Sequence, residues 1–372
     1  MASFFKRILT LRNLSHLIYG IGTLAVLLCY ASPFIHPESI PIIPFFGLAY
    51  PLIILAYLGL LIIAVLRRTR WAWVIGAVIL IGIKLHFRTI AWSSGDAPGN
   101  KTEIQIMSYN VKLFDRYNEI WDHSFVTKDS IFAYLKSEQP DIICFQEFYH
   151  QDEPTTFVTK DSILDFLKIK DSHERFRHKV NGRQNFGVCM MSKYPMIEKG
   201  YIKFNNSTDL SRNNFCIYAD IKVKRDTIRV YNVHLQSIKL QEEDYTFFNE
   251  DTNAVNNLDR LSMIRKIKNA FPVRANQAEI VTDHIRNSPY PVVVCGDFND
   301  TPLSYCYNQF NSQLTDAFRN SSFGIGQTYT GTLPAGRIDY IFHSPEIGSN
   351  SFKIQEKALS DHLAISCKIF IK

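Results

Sequence analysis

Three long apolar stretches dominate the first quarter of the chain, at residues 14–32, 41–66 and 71–87. The first two are long enough to cross a bilayer, and the third is at the short end of the range, with Lys84 able to extend its amine towards water. Three such stretches in succession do not fit a cleaved signal peptide. Buried core helices are the alternative, but residues 52–66 contain no charge at all. We therefore expect residues 1–92 to form a membrane anchor of about three transmembrane helices.

The charges around these stretches predict how the anchor is oriented. Basic residues precede the first stretch, and the sequence RRTR separates the second from the third, whereas the loop between the first two has no Lys or Arg. The positive-inside rule then places the N-terminus and RRTR in the cytoplasm. Lys84 and Arg88, which flank the third stretch, oppose this orientation. With three spans, the rest of the chain lies on the outer, periplasmic face of a bacterial inner membrane.

A segment of turn-forming residues, 93–102, separates this anchor from a region in which strand-like and helix-like patterns mix. Strand-like runs occupy residues 103–111, 141–148, 187–192, 215–223, 227–235, 291–297, 337–344, 351–359 and 364–371. Helix-like runs occupy residues 128–139, 160–170 and 273–287. The pattern predicts one α/β domain with many strands over residues 103–372.

The sequence FVTKDSI occurs twice in this region, at 125–131 and 157–163. Each copy precedes a helix-like run, with Asp and Ser positioned to cap the helix. A domain duplication would extend further, so we interpret the repeat as similar helix-start chemistry.

The charge of the chain is unevenly distributed. Residues 1–92 contain one acid and eight Lys or Arg, so the whole-chain charge of +6 divides into +7 for the anchor and −1 for the remainder. The basic balance therefore belongs to the anchor and is not a nucleic-acid footprint of the C-terminal domain.

The cysteine pattern favours a packing role. Four of the seven cysteines lie inside apolar runs of the C-terminal region, where cysteine acts as a small buried hydrophobe: Cys144, Cys189, Cys295 and Cys367. The sequence has no CxxC pair and no Cys/His cluster, so it does not favour a zinc site.

Polar residues gather where the predicted strands end. These positions are Asn110, Glu147, His234, Asp297, Asn299, Asp339, Asp361 and His362. Each alone could be a turn residue or a satisfied polar group of the core. Ligand sites in α/β folds form at strand ends, so the joint occurrence of these residues predicts a site.

Three of these residues suit a divalent cation. Glu147 and Asp361 offer hard carboxylate oxygens, with Asn110 alongside. Such a set favours Mg²⁺ or Mn²⁺, which prefer oxygen ligands and keep waters for a phosphate. The chemistry that fits is metal-assisted hydrolysis of a phosphoester.

The other five residues suit the handling of water and phosphate. Asp297 is a candidate for orienting or deprotonating the attacking water, and Asn299 can fix that water by a hydrogen bond. His234 and His362 can donate to phosphoryl oxygens. Asp339 can accept a hydrogen bond from one ring nitrogen of His362 and so set its tautomer.

Six short motifs, in order along the chain, resemble the endonuclease/exonuclease/phosphatase family of DNase I-like metal-dependent phosphoesterases. They are SYNV, CFQEF, YNVHLQS, GDFN, RIDYIF and SDHLAIS, and they extend over about residues 103–371. The resemblance implies a two-sheet α/β sandwich with helices on both outer faces. Together with the apolar stretches, it indicates a membrane-anchored, bacterial-type member of the family. The site that it implies has Glu147 as principal metal ligand with Asn110 beside it, Asp297 and Asn299 at the water, and His362 with Asp339.

Two positions depart from the apurinic-site endonucleases of this family. Lys112 follows SYNV where those enzymes carry a metal-binding Asp, and Asn185 stands where they have Tyr. The sequence NVHL is instead similar to the branch with His at this strand end, which includes DNase I, sphingomyelinases and deadenylases. An abasic-site repair role is therefore not favoured.

Three functions are compatible with these features. We favour an endonuclease- or exonuclease-like phosphodiesterase that uses metal-activated water outside the cytoplasm. The alternatives are the same chemistry on a lipid head group or a soluble phosphate ester, and a catalytically silent binding module. A nuclease would carry a basic, aromatic-lined groove, which the near-zero charge of the domain does not indicate. We interpret the acidic, aromatic insertion at 239–253 as a solvated loop rather than a substrate lid.

Overall fold

The protein is described from a computed structural model, over residues 11–116, 126–176, 181–204, 214–238, 257–331 and 336–372. The insertion at 239–253 and the first residue of the first FVTKDSI copy lie outside these described residues.

From residue 11 onwards, the N-terminal region has five helices: α1 (Leu11–Ala31), α2 (Ile43–Leu48), α3 (Tyr50–Leu66), α4 (Trp71–Ile81) and α5 (Ile83–His86). Among the described residues, α1 is the one helix long and apolar enough to cross a membrane, while α3 and α4 are shorter apolar helices. The stretches that the sequence pattern predicts as continuous spans, 41–66 and 71–87, are thus each divided in two. Pro51 at the start of α3 lacks an N–H and crowds the carbonyl four residues earlier, so the helix is interrupted at Ala49. Gly82 separates α4 from α5.

The helices α1, α3 and α4 pack against one another through a small buried cluster. It includes Tyr19, Val26, Tyr57, Ala64 and Ile75. The outward faces are also apolar, because large side chains such as Leu17, Leu52 and Trp73 are exposed there. Helices that are apolar on both their packed and their outward sides are typical of a membrane-embedded or fully enclosed position.

In the described part of the remaining chain, the strands form two six-stranded sheets and a two-stranded ribbon. In chain order they are β1 (Ile90–Trp92), β2 (Ile104–Asn110), β3 (Ile142–Gln151), β4 (Asp171–Phe176), β5 (Gln184–Ser192), β6 (Met196–Ile202), β7 (Phe215–Val223), β8 (Asp226–His234), β9 (Val292–Asp297), β10 (Thr315–Asp316), β11 (Phe323–Ile325), β12 (Asp339–His343), β13 (Ile347–Ile354) and β14 (Ile365–Ile371). The first sheet has the order β13–β14–β2–β3–β5–β4, and the second has the order β10–β12–β9–β8–β7–β6. Only β2 with β3 and β8 with β9 run parallel among these neighbours.

Helices cover the outer face of each sheet. The first sheet packs against α6 (Val126–Glu138) and α7 (Thr159–Phe166), and the second against α8 (Asn257–Arg286) and α9 (Tyr305–Asn311). A short helix, α10 (Ala317–Ser321), lies at the edge of the sandwich and adds Phe318 to the core between the sheets. This arrangement confirms the two-sheet sandwich with flanking helices.

The sequence of β9 shows why its apolar run does not alternate. Val293 and Cys295 face the core between the two sheets, whereas Val292 and Val294 face the helix layer. Both faces of the strand are therefore buried, which removes the need for polar positions. All seven cysteines are buried, in agreement with their predicted packing role.

Several elements differ from the sequence-based prediction. The edge strands β4 and β6 were not predicted, because polar residues dominate sequences such as DSHERF. The strand predicted at 351–359 is β13, which ends at Ile354. The helix predicted from residue 273 begins at Asn257 and continues through Pro272, a residue that normally ends a helix. The capping predicted for α7 is wrong: Val158 is its N-cap residue and makes no side-chain cap bond.

Candidate active site

The parallel strand pairs bring the predicted site residues to one end of the sandwich. In the second sheet, β9 lies between β8 and β12, so Asp297 has His234 opposite on one side and Asp339 opposite on the other. In the first sheet, Asn110 ends β2 beside Gln146 of β3. The Nδ2 of Asn110 donates to the Oδ2 of Asp297 at 3.0 Å, and this bond joins the two sheets at the site.

Two unusual backbone positions shape this end of the strands. Glu147 has a φ of 48° at a β-bulge in β3, where one extra residue separates Phe145 from Phe148 against β5. Gly296 has a φ of 157°, and a Cβ there would lie 1.9 Å from the carbonyl oxygen of Val233. Only glycine therefore allows the close approach of β8 and β9 that GDFN requires.

Asp297 is the most highly connected carboxylate of the site. One oxygen accepts from the backbone N–H of Asn299 at 2.8 Å, and the other accepts from the amides of Asn110 and Asn299 at 3.0 Å and 3.1 Å. The side chain is almost completely buried. Burial, reinforced by the charge of Asp339, raises the pKa of Asp297 to about 6, although His362 and His234 oppose this shift. The carboxyl therefore titrates close to neutral pH, where a general base is effective.

His362 and Asp339 form a buried pair next to Asp297. The Nδ1–H of His362 donates to the Asp339 carboxylate at 3.0 Å, and its Nε2 lies 3.8 Å from the Oδ2 of Asp297. Burial lowers the pKa of His362, but the charges of Asp339 and Asp297 outweigh it and raise that pKa to about 10. The imidazolium is thus stabilised, with both ring nitrogens available as donors. The ring of Tyr329 packs edge-on at 5.1 Å.

Glu147 and Asp361 lie on the more open side of the site. Burial, with repulsion from Asp361, raises the pKa of Glu147, while His362, Asn110 and Lys112 oppose the shift. The Oε1 of Glu147 is 3.9 Å from the Nε2 of His234. Asp361 is 3.7 Å from the Nζ of Lys112, which holds a position where the family's apurinic-site enzymes have an acid.

These side chains fit a divalent cation. The side-chain ligand atoms of Asp297, Asp339 and His362 lie within 4.8 Å of one another, but a protonated His362 has no free lone pair, so the carboxylates and the Asn110 amide are the available ligands, with Glu147 among them. Carboxylates crowded in this way repel one another, and a cation relieves that repulsion. A donor set dominated by carboxylate and amide oxygens matches the preference of Mg²⁺ or Mn²⁺.

The structure thus brings all eight predicted residues to the same end of the sandwich, and it adds others that the sequence did not indicate. Thr328 is buried, and its hydroxyl accepts from the backbone N–H groups of Ile338 and Asp339 at 3.0 Å and 3.1 Å. Beneath the site, the Nε2 of Gln146 donates to the Oδ1 of Asn232 at 2.8 Å across the sheets. Gln146 lies in the motif CFQEF and Asn232 in YNVHLQS, so these motifs were the sequence signal by which the two residues could have been found. Asn185 is not among the contacts of this site and instead donates to the Asp152 carboxylate at 3.0 Å.

Comparison with protein families gives two matches. The model of the endonuclease/exonuclease/phosphatase family matches residues 107–362, and a family described as a domain of unknown function matches residues 12–89. No curated protein matches the chain.

Solved structures share the fold of the C-terminal region. The endonuclease/exonuclease/phosphatase from Bacteroides vulgatus is 17% identical, with a TM-score of 0.53, over 73% of this chain and 100% of that chain. The family proteins from Bacteroides thetaiotaomicron and Leptotrichia buccalis are each 16% identical, with TM-scores of 0.51. These two alignments cover 73% and 72% of this chain and 99% of each of the other chains. At these low sequence identities the similarity shows a shared fold.

Proposed function

The chain belongs to the endonuclease/exonuclease/phosphatase family, and from this premise we propose that it is a membrane-anchored, metal-dependent phosphodiesterase. The observation that carries the proposal is the buried Asp297, held by Asn110 and Asn299 beside the His362–Asp339 pair. A catalytically silent module would not need an ionisable carboxylate at the bottom of such a site, since burying one without function is costly.

Each residue near Asp297 has a role in the proposed hydrolysis. Asp297 accepts a proton from the attacking water, and Asn299 holds that water by its side chain. His362, kept protonated and oriented by Asp339, donates to a phosphoryl oxygen, and His234 donates from the other side. The pKa of His362, raised to about 10, supports this donor role at neutral pH.

We propose that Glu147, Asn110 and Asp361 hold the cation, Mg²⁺ or Mn²⁺. When bound, it would supply charge neutralisation for the phosphoryl oxygens and a more acidic water. Glu147 is the principal ligand in this proposal, because it lies at the bulge of β3, interacts with both Asn110 and Asp361, and has 34% of its side chain exposed.

We also propose that the chain has three parts: a membrane anchor at 1–92, a linker at 93–102 and a catalytic domain at 103–372. The exposed apolar surface of α1, α3 and α4 supports insertion in a membrane. The C-terminal region contacts the anchor at the α1–α2 loop and after α5, where Asn276 donates to Glu38 at 2.8 Å and Arg319 to the Phe87 carbonyl at 2.7 Å. α3 then carries RRTR about 25 Å away from that end, which supports a catalytic domain on the periplasmic side.

The substrate is a phosphodiester of nucleic acid or, as second candidate, of a lipid head group. The second is favoured by contacts between the anchor and the segment that leaves β9. The Thr301 hydroxyl lies 3.5 Å from the Gly47 carbonyl, and Leu303 packs within the buried cluster of the anchor. Asp297 precedes Thr301 by only four residues, so the site is close to the membrane helices.

An assay of the full chain in lipid vesicles tests this function. DNA, RNA, sphingomyelin and inositol phosphates would each be offered with Mg²⁺ and with EDTA. We expect hydrolysis of one substrate class in Mg²⁺ and none in EDTA. Full activity in EDTA would exclude the metal-dependent mechanism, and no hydrolysis of any of these phosphoesters would favour the binding module.

A further inference from the structure

The two-stranded ribbon of β1 and β11 presents an apolar face to the outside. The pairs Ile90–Ile325 and Trp92–Phe323 lie side by side in its antiparallel register. Because side chains alternate along a strand, all four point to the same side. Their exposed fractions are 42% for Ile90, 80% for Trp92, 61% for Phe323 and 78% for Ile325. We call these four side chains the ribbon face.

The opposite side of the ribbon is fixed to the core of the C-terminal region. Ala91 is buried there in the same cluster as Ala317 and Phe318 of α10. Its strand partner Gly324 has no side chain on this side of the ribbon. The ribbon therefore cannot rotate its apolar face inwards without removing Ala91 from the core.

The ribbon follows the last helix of the anchor almost directly. α5 ends at His86 and β1 begins at Ile90, so three residues span at most about 10 Å between them. This connection is held from both sides, since Arg337 donates to the Arg88 carbonyl and Arg319 to the Phe87 carbonyl, each at 2.7 Å. The ribbon face thus continues the exposed apolar surface of the anchor, which ends with Phe87.

The composition of the ribbon face fits the interface of a bilayer. Tryptophan is enriched at that level because its ring is apolar and its N–H can reach water, and Trp92 packs edge-on against Phe323 at 6.0 Å. The six residues of the two strands, IAW and FGI, carry no charge that would oppose insertion.

We propose that the ribbon face enters the interface of the bilayer that holds the anchor, as a second membrane contact made by the catalytic domain. This inference rests on the membrane anchoring proposed above and is independent of the hydrolytic chemistry. The occupant is the lipid surface itself, because the three-residue connection and the continuity with the helices keep the ribbon at that level.

The ribbon contact has a consequence for the active site. The chain that leaves β11 reaches Thr328 and Tyr329 within a few residues. Thr328 holds the backbone N–H of Asp339, and Tyr329 pairs with His362 in a β-bridge. A ribbon seated in the interface therefore holds the His362 side of the site at a fixed height above the lipid head groups.

Tryptophan fluorescence in the full chain tests the contact. The sequence contains four tryptophans, at positions 71, 73, 92 and 121. Replacing three of them by Phe leaves a protein with Trp92 alone or, as matched control, with Trp73 alone. Trp73 is 85% exposed on α4 and reports on insertion of the anchor. A third protein, with no native tryptophan and Tyr201→Trp, reports on the edge strand β6 at the far side of the second sheet.

Each protein would be placed in phosphatidylcholine vesicles with bromine atoms at defined depths of the acyl chains. We expect Trp73 and Trp92 to lose emission, Trp92 most strongly to the shallow bromines, while Tyr201→Trp loses none. If the bromines quench Trp73 but leave Trp92 as bright as the tryptophan of Tyr201→Trp, the ribbon contact is overturned and the membrane anchor is supported. Unquenched Trp73 would overturn the anchor and the contact together. Blue-shifted but unquenched Trp92 emission would show that a second protein copy covers the ribbon, which also overturns the proposal.

Discussion

At the scale of the residue, the carboxylates of the site acquire their chemistry from their neighbours. Asp297 lies against Asp339 and between two histidines, and Glu147 lies near Asp361. Burial and repulsion raise the pKa values of Asp297 and Glu147, and the neighbouring histidines offset these shifts only in part. The cation proposed above would add positive charge here, and it should therefore stabilise the folded protein as well as support hydrolysis.

We expect Glu147→Gln to remove this metal-dependent stabilisation. Wild-type protein should melt at a higher temperature in Mg²⁺ than in EDTA, because the ion binds the folded state. The variant keeps the size of the side chain but loses the charge, so its two melting temperatures should coincide. Asp226→Asn, at the far end of β8, is the control and should behave as wild type. An undiminished Mg²⁺ shift in Glu147→Gln would remove Glu147 from the metal site.

The sequence predicted which eight residues would meet at one end of the sandwich, because each occurs in a short motif at a strand end. It did not predict what Gln146, Asn232 and Thr328 do, although the first two lie in the same motifs. Their roles depend on partners in another strand or sheet, which sequence spacing does not reveal. Thr328 in particular follows an exposed ribbon and has no pattern that distinguishes it from other loop threonines.

At the scale of the element, buried polar bonds between the sheets fix how the strand ends meet. The Nδ2 of Asn232 on β8 donates to the Phe145 and Cys189 carbonyls of the other sheet at 2.9 Å and 3.0 Å, and its Oδ1 accepts from Gln146. Such bonds hold β3 and β8 in register below Glu147 and His234. The strand ends are therefore positioned by hydrogen bonds within the core and not by solvent-exposed turns.

Asn232→Ala should therefore destabilise the sandwich. Each buried polar group that loses its partner costs about 1–3 kcal/mol. The Phe145 and Cys189 carbonyls each lose a donor, whereas the Gln146 amide keeps its bond to the Cys144 carbonyl. Urea unfolding of the full chain in detergent would measure the loss. The matched control is Asn287→Ala, an exposed residue at the end of α8, which should change the free energy of unfolding by less than about 0.5 kcal/mol. Equal stability of the two variants would contradict the structural role of Asn232.

A second inter-sheet bond should make stability depend on pH. His343 on β12 is buried, and its Nε2 lies 2.9 Å from the Ser349 hydroxyl on β13. Burial lowers the pKa of His343 below its usual value, so the folded state favours the neutral ring. As pH falls below about 6.5, the unfolded chain binds a proton that the folded protein resists, and stability is lost.

His343→Gln removes this protonation and should flatten the acid side of the curve. The free energy of unfolding would be measured in wild type and variant between pH 7 and about 5, below the ordinary histidine pKa. We expect a smaller decrease in the variant. The same decrease in both proteins would show that His343 is not responsible.

The sequence was most accurate where an element is buried on both faces. β7 was predicted with its observed bounds, and β8 and β9 within one residue. The polar edge strands β4 and β6 were not predicted, because a strand with one solvent-exposed edge needs no apolar run. The second and third apolar stretches were predicted as single helices, because hydropathy does not register the interruptions at Ala49 and Gly82.

At the scale of the whole molecule, the anchor and the sandwich meet next to the proposed site. The contacts at Glu38, Phe87 and Leu303 all lie on the same end of the helices. With the three spans proposed above, the N-terminus and the C-terminal region would lie on opposite sides of the membrane. This arrangement is compatible with the positive-inside prediction.

Reporter fusions to the full chain test this arrangement. A reporter that works only outside the cytoplasm should be active after Lys372, whereas one that works only in the cytoplasm should be active at the N-terminus. The reverse pattern at both ends would reverse the orientation. Cytoplasmic activity at both ends would mean that an even number of segments span the membrane.

The most direct test of the account is the turnover of Asp297→Asn in Mg²⁺ together with its melting temperature in EDTA, both measured in the full chain. The substitution keeps the size and much of the hydrogen bonding of the side chain but removes the charge and the base. We predict that turnover falls by at least about 10²–10⁴-fold, as for loss of a general acid or base, while the melting temperature without metal stays unchanged or rises as buried carboxylate repulsion is relieved. A well-folded Asp297→Asn protein with near-normal turnover on its substrate would contradict the account.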